Sequence, residues 1–188
     1  MTIRKRLPVI LTVAIATACL CGCHRLETRK MLRKMMGSTV VLPENITCYN
    51  NGIWSELNDS IRDTPKFVLY IDSTDCSTCV LSHIGQYYHV FTYADSTKAF
   101  IPFVLLSIGK KHYDEITHYI ILTEPSYPIY IDTENLFKPL NPFIPEDDRF
   151  HSFLINEKGF PILVGLPKAD TRGVEILNKA INKLNNTK

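Results

Sequence analysis

Residues 66–88 read KFVLYIDSTDCSTCVLSHIGQYY, and the stretch changes character in its middle. KFVLYI is a continuous apolar run, the pattern of a central strand covered on both faces rather than of a strand with one wet face. Asp72 to Asp75 form a polar turn, and from Cys76 the chain reads as a helix with Val80, Ile84, Tyr87 or Tyr88, and Phe91 along one side. The strand therefore delivers Cys76 to the first turn of a helix and Cys79 one turn further on. A thiol reacts as thiolate, and free backbone N–H groups at a helix start stabilise that anion. A second thiol one turn away can resolve a mixed disulfide formed on the first. Strand, turn, C-x-x-C and helix thus make up a mechanism as well as a pattern.

The regular alternation continues outward from this stretch. AFIPFVLLSI is expected to be a second buried strand, broken early by Pro102, and HYDEITHYIIL a helix with Ile116 and Ile120 turned inward. YPIYID and HSFLIN are further strands, and EKG is a tight turn leading into FPILVG. Asp170 or Thr171 is expected to cap a last helix with Val174, Leu177, Ile181 and Leu184 as its apolar stripe. On the amino side, TVVLP reads as a short edge strand closed by Pro43, and CYNN runs into a turn at Gly52. Strands alternating with helices, then a hairpin and a closing helix, predict an α/β fold: a mixed β-sheet flanked by helices.

The first residues belong to a different kind of segment. Arg4, Lys5 and Arg6 precede the apolar run LPVILTVAIATACL, which closes on LCGC. This is the layout of an export signal, shorter than the roughly 20 apolar residues of a membrane-spanning helix. Leu20, Cys21, Gly22 and Cys23 resemble the lipobox of bacterial lipoproteins, which implies lipidation at Cys23 and a cell-envelope location facing the extracytoplasmic, periplasmic side. After it, HRLETRKMLRKMMGS reads as a short amphipathic helix ended by Gly37, either a solvated linker or a helix set against anionic headgroups. The expected organisation is a signal peptide over 1–22, a membrane-proximal tether over 23–58 and the α/β domain over 59–188.

Composition narrows the function. The chain has 188 residues and a formal net charge of +2, with the positive charge concentrated at the front, so the body carries no nucleic-acid footprint. Of six cysteines, Cys48, Cys76 and Cys79 lie beyond Cys23, an odd number for an oxidising compartment. A zinc ribbon would need a second cysteine knuckle. No Gly-rich phosphate loop, G-x-S-x-G elbow or peroxiredoxin-type proline turn before Cys76 is present.

FVLYIDSTDCSTC, followed by YPIYIDTENLFKPL and FHSFLINEKGFPILVG, resembles the thioredoxin superfamily, in particular the extracytoplasmic branch related to TlpA and ResA. That resemblance implies a membrane-anchored thiol-disulfide oxidoreductase acting on exported proteins without a cofactor. Cys76 would be the attacking and Cys79 the resolving half of a redox disulfide. Three positions depart from the pattern. Asp75 stands where the family has tryptophan, Ser77 and Thr78 fill the dipeptide, and His151 or Ser152 lies nearest the usual cis-proline before the strand SFLIN. Asp75 opposes thiolate formation at Cys76, and Asp72, at the strand end, is placed either to relay a proton to Cys79 or to cap the turn. These departures keep a second reading open: a non-catalytic thioredoxin-like scaffold that binds a partner, or holds a soft ion, Cu or Zn, through Cys76, Cys79 and His151.

Overall fold

The computed structural model describes residues 25–72, 81 and 84–186. Its centre is a seven-stranded mixed sheet. In chain order the strands are β1 (Thr47–Asn50), β2 (Ile53–Glu56), β3 (Lys66–Ile71), β4 (Ile101–Ser107), β5 (Ile129–Asp132), β6 (Ser152–Ile155) and β7 (Pro161–Val164). Across the sheet the order is β2-β1-β5-β4-β3-β6-β7. β3, β4 and β5 run parallel, whereas β1 pairs antiparallel with β5 and β6 antiparallel with β3. The hairpin β1–β2 lies inside the stretch read from sequence as tether, and the sheet incorporates it.

Helices lie on both sides, and for that reason the central strands are apolar without alternation. Every residue of β3 is buried. Phe67, Leu69 and Ile71 face one core, which they share with α3 (Tyr88–Thr97), α4 (Tyr113–Thr123) and the closing helix α6 (Thr171–Asn185) through Phe91, Ile120 and Leu177. Val68 and Tyr70 face the second core with Phe103, Leu105, Tyr130 and Phe153. That side is covered by Met35 from α1 (25–36), by Phe137 from the short α5 (Phe137–Leu140) and by Phe150. On the amino side, α2 (Asp59–Arg62) leads into β3 with the side chain of Asn58 accepting from Ser60 N.

The expected elements take shape for local reasons. Gly37 N donates to Arg33 O at the end of α1, where the sequence placed the helix stop. Asp170 is the N-cap of α6, its side chain accepting from Gly173 N at 2.8 Å. The EKG turn closes between Asn156 and Gly159, with Asn156 Oδ1 accepting from Lys158 N and Phe160 N. Gly159 has φ +80°, and a Cβ there would stand 2.5 Å from Val40 O, so this turn requires glycine twice over.

Three expectations are corrected. Pro102 does not break β4, because Ile101 N donates to Pro65 O on the β3 side and pairing with β5 begins only at Val104. The imino nitrogen of Pro102 therefore falls where no partner strand needs a donor. TVVLP forms no strand; it is a strap held by Val40 N donating to Gly159 O and by Asn141. In α6, Val174 is exposed, and the buried stripe is Gly173, Leu177, Ala180 and Leu184.

Candidate functional site

Cys76, Cys79 and Asp75 lie outside the described residues, as does Cys23. The described chain frames the pair on both sides, with β3 ending at Ile71 and Leu81 buried in the first core beside Val90 and Phe91. In sequence the pair falls between the carboxyl end of this buried strand and Leu81. In open α/β sheets this carboxyl edge of the parallel strands is where binding sites form.

Asp72, the residue after β3, is buried, and Tyr70 Oη donates to its Oδ2 at 2.5 Å. Burial first, then that hydrogen bond and the negative charges of Asp72, Glu146 and Asp132, hold the Tyr70 phenol protonated far above its ordinary range. Tyr70 therefore acts as a permanent donor. Its ring packs edge-on against His151, centroids 5.0 Å apart, and lies 4.8 Å from Phe137. His151 is itself buried; its Nε2 donates to Pro145 O at 2.9 Å, and Nδ1 is 3.9 Å from Asp148 Oδ1.

The two residues nearest the expected proline position are sent in opposite directions. His151 joins Tyr70 on the second face, whereas Ser152, opposite Leu69 in the register, belongs to the first face, where Leu81 and α3 pack. Both are fixed by backbone bonds: Tyr70 N donates to His151 O and Gly165 N to Ser152 O. The structure brings Asp72 and His151 together around Tyr70 and keeps Ser152 apart from them. Among the described residues no group of three His, Cys, Asp or Glu side chains is arranged to hold a metal ion.

Two further residues were missed in the sequence. Ser107 and Asp132 are completely buried at the carboxyl ends of β4 and β5 and are paired in register. Ser107 Oγ donates to Asp132 Oδ2 at 2.8 Å, and Phe137 N donates to the same oxygen at 2.7 Å. Asp132 Oδ1 has no hydrogen-bond partner among the described residues. Ile71 pairs with Leu106, so Asp72 stands one step beyond, level with Ser107. The signal was legible: FVLYID, FVLLS and YPIYID each end an unbroken apolar run on a polar residue.

Cys48 is a free, buried thiol on β1, opposite Tyr130 of β5. Burial pushes its thiol up, against hydrogen bonds from Tyr130 and Ser55 that work the other way. It is the environment of an inert cysteine.

The sequence matches no family model and no curated protein. Among solved structures, the chain is similar to an uncharacterized thioredoxin-like protein from Porphyromonas gingivalis, with 12% identity, 79% of this chain and 94% of that chain covered, and a TM-score of 0.46. It is also similar to the thioredoxin domain of a thiol-disulfide oxidoreductase from Bacteroides vulgatus, with 11% identity, 80% and 96% covered, and a TM-score of 0.47. The sheet itself, with parallel β3 and β4, antiparallel β6 and β7 and a closing α6, is the mixed sheet flanked by helices that the alternation of strands and helices predicts.

Proposed function

We propose that the chain is a lipid-anchored, extracytoplasmic thiol-disulfide oxidoreductase acting on exported proteins. The observation that carries this reading is the position of the C-x-x-C stretch. It starts four residues beyond Asp72, itself held by Tyr70 at the carboxyl edge of a fully buried strand. The Cys76 thiolate attacks one sulfur of a substrate disulfide, forming a mixed disulfide and releasing the other substrate sulfur as thiolate. The Cys79 thiolate then attacks the Cys76 sulfur and expels the second substrate thiol. The substrate gains two electrons and two protons, and a Cys76–Cys79 disulfide remains. The same steps reversed oxidise a dithiol. Asp72 is the nearest described carboxylate in sequence to the pair, and its role is to take up or return the proton of Cys79.

The test uses the full chain in glutathione buffers of graded ratio. Mass spectrometry is expected to show the Cys76–Cys79 bond titrating at one defined potential, with turnover on insulin. Cys79→Ser should accumulate mixed disulfides, and Cys76→Ser should not. Absence of both a defined potential and turnover would overturn the proposal.

A further inference from the structure

Helix α1 is set on the domain through Met35, while Leu26, Met31 and Leu32 are exposed to different degrees. Met35 is completely buried in the second core, and Thr28, two turns earlier, is partly buried on the same side. The opposite side carries Leu26, Arg29, Lys30, Arg33 and Lys34, which are spaced three and four apart and so share one face. All are exposed, Leu26 at 65%. None of the four cations has an ion-pair partner among the described residues.

The helix is not a free tether. Directly after it, Val40 N donates to Gly159 O at 2.9 Å. The completely buried Asn141 side chain grips Val41 from both sides, Oδ1 accepting from Val41 N and Nδ2 donating to Val41 O, each at 2.8 Å. The basic face therefore has one fixed orientation relative to the sheet. On the other side, only residues 21–24 separate α1 from the end of the apolar run at Leu20. At about 3.5 Å per extended residue they keep the helix within headgroup reach of a bilayer that holds the run or an acylated Cys23.

From this fixed basic face, without ion pairs among the described residues, we propose a docking surface for anionic lipid headgroups, with Leu26 seated at the interface beside the four cations. The inference rests on the membrane attachment in the proposed function and adds an orientation to it: the second face of the sheet turns toward the bilayer. Guanidinium and ammonium groups suit phosphodiester anions, and an apolar side chain on the same face suits an amphipathic interface rather than a wholly aqueous partner.

The full chain carrying Leu26→Trp is reconstituted into vesicles of phosphatidylcholine alone or mixed with phosphatidylglycerol, with part of the acyl chains brominated. The unsubstituted chain, whose sole tryptophan is Trp54, supplies the background. The added indole is expected to shift to the blue and be quenched in the anionic vesicles only. The quenching should weaken as salt rises to about 0.5 M, where the Debye length is a few ångströms. Arg29→Glu with Arg33→Glu should abolish the quenching while the protein still floats with the vesicles. A floating protein whose introduced indole is unquenched, or equally quenched without phosphatidylglycerol, overturns the docking surface and leaves the anchor standing. A chain that does not float overturns the anchor and the docking surface together.

Discussion

The two faces of the sheet are lined by the same strands yet hold different chemistry. The first face is an aliphatic and aromatic core in which Ser152 is the buried polar side chain contributed by a strand. The second gathers Lys66 at the amino end of β3 and Asp72, Ser107, Asp132 and His151 at the carboxyl ends. Burying polar groups costs stability unless each is partnered, so a fold that confines them to one face keeps the other as scaffold. The lesson is a division of labour across a single sheet: packing on one side, proton-bearing groups on the other.

That division can be broken most strongly from the packing side. Phe91→Ala is expected to cost about 3–5 kcal/mol in denaturant unfolding while leaving the potential of the cysteine pair unchanged. A shifted potential would mean the first face also tunes the chemistry.

At the amino end of the second face, Lys66 Nζ donates to Arg62 O and Thr64 O, and burial drives its pKa down to about 8. Between about pH 8 and 10.5 the unfolded chain binds more protons at this lysine than the folded one, so its contribution makes stability rise with pH across that window. Measured as the difference between the parent and Lys66→Met, the rise should reach about 3 kcal/mol. Parallel pH curves for the two proteins would show that burial of Lys66 carries no charge penalty.

At the carboxyl end, Tyr70→Phe withdraws the donor from Asp72. The expected loss is about 1–3 kcal/mol, together with a changed pH dependence of Cys79 alkylation. A stability loss without that change would make Tyr70 and Asp72 purely structural. The smallest effect concerns Cys48: in a Cys76→Ser, Cys79→Ser chain it should resist thiol reagents until the protein is unfolded, because burial disfavours its thiolate.

Much of this layout was legible in the sequence. The unbroken apolar run of β3, the inward Ile116 and Ile120, the Asp170 cap and the Gly37 stop are local signals that tertiary contacts reinforce. Other features depend on partners remote in sequence. Pro102 is tolerated because β5 begins pairing two residues later, and TVVLP is a strap because Asn141 and Gly159 take the bonds that a neighbouring strand would have taken. The opposite headings of His151 and Ser152 follow from strand alternation once β6 is registered against β3, and the resemblance alone left both positions in play. The row formed by Asp72, Ser107 and Asp132 emerges only when three strands are aligned, although each strand announced its polar end.

The contact between Gly159 and Val40 ties the tip of one hairpin to a segment more than a hundred positions earlier. A side chain at 159 would be strained by φ +80° and would in addition stand against the Val40 carbonyl, so shifting the strap alone would not accommodate it. Any descendant of this chain that preserves the strap should also inherit the glycine, because the atoms that a side chain at 159 would meet at position 40 belong to the backbone.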